Sequence, residues 1–88
     1  MIKDRLISLF DSERTTVWFE KQTGIGRYRW QNIKSGKARL TDAEIEAVME
    51  IFPHYRWWLM TGEVMPESGQ VSPDYEEANG KLKQQGQG

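Results

Sequence analysis

The sequence contains no cysteine. Disulfides and cysteine-ligated zinc are therefore excluded, and nothing calls for an oxidising compartment. It contains one histidine, His54, beside Pro53 at an expected helix boundary, and no spacing of metal-binding side chains. No apolar run is long enough for a signal peptide or a membrane span, so a cytoplasmic protein with no membrane partner is expected. Alternating strand patterns and hairpin turns are missing as well. Gly24-x-Gly26 does not follow a strand and is no phosphate loop. The acids Asp42, Glu44, Glu46 and Glu50 are better explained by a helix cap and a solvent face than by acid–base chemistry. No catalytic residue, metal or cofactor is expected, and no enzyme.

Net charge is also nearly missing: 12 basic and 13 acidic residues leave −1. The distribution matters more than the sum. Between Arg14 and Arg39 there are seven basic residues and one acid, Glu20. Between Leu40 and Phe52 there are four acids and no base. Segregated charge makes one face attractive to phosphate while another repels it.

What remains is a short chain of 88 residues whose aromatics, four Trp, three Tyr and three Phe, must fill a small core. Ile2, Leu6, Leu9 and Phe10 recur at helical spacing and predict a first helix ending near Asp11-Ser12. Thr15 or Thr16 caps a second helix running to about Gln22. Thr23-Gly24-Ile25-Gly26 is a tight turn. A third helix starts near Arg27, with Trp30 and Ile33 inward, and ends at Ser35-Gly36. Thr41-Asp42-Ala43-Glu44 is a capping box opening a fourth helix with Ile45, Val48, Met49 and Phe52 on one side. Pro53 stops it. Tyr55 to Thr61 forms a fifth helix, closed by Gly62. The expected organisation is one all-α domain over residues 1–65 and a flexible tail over 66–88, rich in Gly, Gln, Ser and Pro, with at most a transient helical turn from Asp74 to Ala78.

The stretch from Thr16 to Lys37 carries the functional signal. Two short helices joined by a glycine turn form a motif whose second helix enters the DNA major groove. Such a helix needs apolar anchors inward and hydrogen-bonding groups outward. Arg27, Tyr28, Gln31 and Asn32 face away from Trp30 and Ile33. Arginine suits guanine, and Gln or Asn suits adenine.

Thr23-Gly24-Ile25, Trp30 and Ile33, Gly36, the capped helix and Trp58-Leu59-Met60-Thr61-Gly62 together resemble the lambda-repressor-like Cro/CI-type (XRE) helix-turn-helix family. The closest likeness is to the DNA-binding domain of phage CI-type repressors, over about residues 1–63. The resemblance implies a five-helix fold and a transcriptional regulator of phage or prophage origin that reads operator DNA as a dimer, in the bacterial cytoplasm at the nucleoid. It implies base contacts from Arg27, Tyr28, Gln31 and Asn32. It implies backbone contacts from Thr16, Lys34, Ser35 and Lys37, to which Arg39, just past the reading helix, is added. Two positions depart from the family. Glu20 stands where a small residue is usual, which puts the packing of the second helix in question or shifts the register by one residue, and Trp30 replaces an aliphatic while keeping apolar character.

Tyr55, Trp57 and Trp58 exceed what one inward stripe of a helix absorbs, so a dimer contact is expected there, with Trp57 the most exposed. The alternative reading is a helix-turn-helix used as a protein-binding module, either an inhibitor of another regulator or an antitoxin whose tail folds on its toxin.

Overall fold

Thr23, at the end of the second helix, shows how this sequence holds its shape. Its hydroxyl donates to the Phe19 carbonyl at 2.6 Å and accepts from the Ile25 amide at 3.1 Å and the Trp30 indole at 3.3 Å. Every hydrogen-bonding position of the hydroxyl is thus used. Trp30 can be fully buried because its one polar atom is satisfied. The next residue, Gly24, has φ +77°, a conformation that L side chains resist, and its amide closes the helix on the Glu20 carbonyl.

The computed structural model describes residues 1–87 and is all-α, so the last residue of the expected tail, Gly88, lies outside it. The helices among the described residues are α1 (Ile2–Ile7), α2 (Thr16–Thr23), α3 (Arg27–Ser35), α4 (Asp42–Ile51), α5 (Arg56–Thr61) and α6 (Pro73–Gln87). Single 3-10 turns lie at Pro53–Tyr55 and Pro66–Ser68. Strand pairing among the described residues is confined to one bridge, Met65 with Gln70.

The first five helices surround a core of Leu6, Leu9, Phe19, Trp30, Ile33, Val48, Phe52, Tyr55 and Leu59. Phe19 is its hub, stacked on Phe10 at 4.2 Å between ring centres and tilted against Trp30 at 5.2 Å. The chain ends of the bundle are joined by Arg5, whose guanidinium donates to the Leu59 and Met60 carbonyls at 2.8 and 3.2 Å. A cation there also suits the negative end of α5.

Helix boundaries follow local chemistry. Thr15 caps α2 by accepting the Trp18 amide. The capping box at Thr41 and Glu44 is formed in both directions, and α4 stops before Pro53. The first helix is shorter than periodicity suggests. It ends at Ile7, because Asp11 instead closes a turn by accepting the Glu13 and Arg14 amides at 2.9 and 2.6 Å.

The segment from residue 66, expected to be a flexible tail, departs most from the sequence reading. Gln70 inserts its amide into the start of α5: Oε1 accepts the Trp57 amide at 2.8 Å and Nε2 donates to the Pro53 carbonyl at 3.0 Å. The Val71 amide donates to His54 O at 2.8 Å, and Val71 packs against the core. Ser72 is buried and accepts the Tyr75 amide at the head of α6. Tyr55 O–H donates to Glu76. The composition of the tail is that of a disordered chain, but a few backbone and side-chain bonds tie its first part to α5 and the 3-10 turn before it, and the expected turn at Asp74 to Ala78 lies within a full helix.

Candidate nucleic-acid interface

The third helix is held at both edges and open on its outer face. With 100° between successive residues, Trp30 and Ile33 point into the core while Tyr28, Gln31, Asn32 and Ser35 point out. Arg27 and Arg29 fall on opposite flanks. Each flank carries an ion pair.

On the flank towards α2, Glu20 accepts three bonds from Arg27: the amide at 2.7 Å, Nε at 3.1 Å and Nη2 at 2.9 Å. These hydrogen bonds, backbone first and side chain second, hold the Glu20 carboxyl below its ordinary range. On the flank towards α4, Arg29 Nη2 donates to Glu44 Oε1 at 2.8 Å and to the Arg39 carbonyl at 2.6 Å. Glu44 is buried, and burial alone would push its carboxyl up. The bonds from Arg29 and Thr41 outweigh that and leave it below the ordinary range.

Most residues singled out from the sequence are brought together. Tyr28, Gln31 and Asn32 are exposed on the outer face, Tyr28 at 74%. Thr16, Gln31, Lys34 and Ser35 line one shallow depression of about 460 Å³ between the start of α2 and the end of α3. Lys34 leans over the Phe10 ring at 5.6 Å. Lys37 and Arg39 are exposed on the loop that follows. Arg27 differs from the expectation of a free outward side chain, because Glu20 shares it.

Three features lie beyond the sequence reading. Arg29, in the sequence only one charge among seven, joins α3, α4 and the loop before it. Its partner Glu44 is visible in the capping box. Asp11 lines the same depression as Lys34 and carries a carboxyl held below its ordinary range by the Arg14 and Glu13 amides. The Asp-x-x-Arg turn spacing is the signal available for it. Glu20, rather than disturbing the packing of α2, serves as an external cap for α3, whose own N-cap residue Gly26 has no side chain to offer.

The aromatic segment is corrected at one residue. Tyr55, expected in an exposed dimer contact, is only 4% exposed. Its ring stacks on Phe52 and its hydroxyl is covered by Glu76; burial, then that bond, pushes the phenol up to about 12. Trp58 is half-buried against the core, in edge contact with Tyr55. Trp57 is exposed at 41%, beside the exposed Met60 on the same short helix.

A glycine-turned pair of helices, with the second held by α2 on one edge and α4 on the other, defines this chain as an all-helical helix-turn-helix domain. No helix among the described residues is long and apolar enough to cross a membrane. No protein-family model and no curated protein matches the chain. A solved structure does: Pf6r, from the filamentous phage Pf6 of Pseudomonas aeruginosa PA01, matches at 41% identity and a TM-score of 0.83, over 93% of this chain and 96% of that one. The chain belongs to the same family as Pf6r.

Proposed function

We propose that the protein is a sequence-specific DNA-binding regulator of phage or prophage genes, of the Cro/CI repressor type, with α3 in the major groove. One observation carries this reading. The outer face of α3 shows Tyr28, Gln31 and Asn32 to solvent, a hydrogen-bonding set with an aromatic ring that is 74% exposed. An amphipathic ring flanked by two amide side chains suits a groove lined with base edges. The relative encoded by a filamentous phage supports the phage setting, and such a regulator works in the bacterial cytoplasm, on the nucleoid.

In this reading Tyr28, Gln31 and Asn32 meet base edges, together with the free part of Arg27. Thr16, Lys34, Ser35, Lys37 and Arg39 meet the sugar–phosphate backbone on either side. The role is binding alone, and it calls for no cofactor or metal. Selection from a randomised duplex library tests it. Wild type should enrich a defined sequence, and Gln31→Ala should relax the preference at one base while retaining the fold. Enrichment of nothing by wild type would defeat the reading.

The protein acts as a homodimer in this account. Trp57 and Met60 supply the exposed apolar surface, with Trp58 at its edge and Tyr55 behind it in the core. Trp57→Glu should lower self-association in sedimentation experiments and leave the helical signal intact. A wild type that stays monomeric at high concentration and on DNA would remove the dimer.

A further inference from the structure

Arg27 has two edges with which to donate hydrogen bonds. The side edge is Nε with Nη2; the end edge is Nη1 with Nη2. Glu20 Oε1 occupies the side edge, at 3.1 and 2.9 Å, while Glu20 Oε2 holds the backbone amide of the same residue at 2.7 Å. One carboxylate therefore fixes both the start of α3 and the direction of its first side chain. Both Nη1 hydrogens and the second Nη2 hydrogen stay unused by Glu20, and one from each nitrogen points along the end edge. That fork matches the two acceptors, O6 and N7, that guanine shows in the major groove.

From this geometry we infer that Glu20 is a specificity-determining residue that commits Arg27 to guanine. The inference rests on the DNA-binding reading of α3 and names the base that its first residue reads. Two effects act together. The bound carboxylate removes rotamer freedom from Arg27 before DNA arrives, so the ordering cost is already met in the free protein. It also sets a negative charge beside the first turn of the reading helix, where an unpaired arginine would swing to the nearest phosphate and bind any sequence. Swinging away to a neighbouring phosphate breaks the bond to Glu20, whereas pairing to guanine from the held position through the end edge keeps it. Selectivity arises from that difference.

The test compares wild type, Glu20→Gln, Glu20→Ala, Arg27→Ala and the double variant Glu20→Gln/Arg27→Ala in randomised duplex selections. Affinities for the selected and an unrelated duplex are then measured over a range of salt. Glu20→Gln keeps an oxygen for the Arg27 amide and so retains the cap, and thermal melts identify any variant that has lost its fold. Wild type should select guanine at the position that Arg27→Ala relaxes. Glu20→Gln and Glu20→Ala should lose that guanine and lower the ratio of specific to non-specific affinity by about tenfold. Their binding to the unrelated duplex should become tighter, with a salt slope steeper by about one unit as Arg27 turns to phosphate. The double variant should be no less selective than Arg27→Ala alone. An unchanged ratio and sequence in both Glu20 variants overturns the inference while leaving DNA reading by α3 in place. So does a wild type with a base other than guanine at the Arg27 position. A wild type that selects no duplex overturns the DNA reading, and this inference with it.

Discussion

Two arginines, Arg27 and Arg29, stand on opposite edges of α3, and each faces a glutamate at under 3 Å. The surroundings differ. The side chain of Glu20 is 32% exposed and that of Glu44 is 5% exposed. An exposed pair adds little stability, because water screens the attraction and two long side chains lose freedom. A buried carboxylate deprived of its partner is costly, because nothing nearby replaces the missing bonds. The edge towards α4 therefore secures α3 to the fold, and on the DNA-binding proposal the edge towards α2 sets what α3 presents. In the proposed reading, stability and readout fall on different sides of nine residues.

The strongest way to break this comparison is at the buried edge. Glu44→Ala removes the capping box and the anchor of Arg29 together. It should cost about 2–4 kcal/mol, seen as a fall in Tm on the order of 10 °C or more. Arg27→Ala, at the open edge, should leave Tm within a few degrees and change base preference instead. Equal losses in Tm from the two variants would erase the distinction between the edges.

A cut far from both edges gives a reference. A chain ending at Gly69 lacks the Gln70 clamp on α5, the Val71 packing and the cover over Tyr55. It should lose about 1–3 kcal/mol of stability with no change in the sequence selected. An unchanged Tm would return residues 70–87 to the flexible tail that composition suggests.

Acid sharpens the comparison further. The Glu44 carboxyl has a folded pKa below its ordinary value. Its contribution is complete above the ordinary glutamate value and is lost as the pH falls through the folded value. Glu44→Gln should therefore be less stable than wild type near neutrality, and the gap should close on acidification. Asp11 and Glu20, also shifted down, act in the same direction at the surface. A gap that stays constant to the end of the acid range would deny Glu44 its charged role. The smallest effects concern affinity alone. Replacing Lys34, Lys37 and Arg39 by alanine should reduce the salt slope of DNA binding by about one unit for each phosphate no longer neutralised, with Tm little changed.

The legible parts of this molecule are those decided within a few residues. The turn after Thr23, the caps at Thr15 and Thr41, the stop at Pro53 and the inward pair Trp30 and Ile33 all depend on neighbours in sequence, and all are in place. The outer face of α3 follows from that pair by helical geometry. The illegible parts depend on contacts across the fold. Tyr55 is buried because Phe52 and Glu76 close over it, and a run of aromatics does not reveal which ring a distant helix will cover. Gln70 is one of several glutamines in a polar stretch, and only its position opposite Pro53 and Trp57 makes it a clamp. Glu20 is seven residues from Arg27, beyond the reach of pairing along one helix. The turn at Gly24 folds it back onto the amide it caps.

The central claim is that α3, bolted to α4 on one edge and tuned by α2 on the other, offers its outer face to the major groove. Backbone amide shifts of the labelled protein, recorded during titration with a duplex taken from the library selection, test this most directly. The account predicts saturable changes at residues 27–32, at Thr16 and at 34–39, while the exposed acids of α4 (Asp42, Glu46 and Glu50) stay unperturbed. Changes concentrated on α4 and α5, with α3 silent, would contradict it.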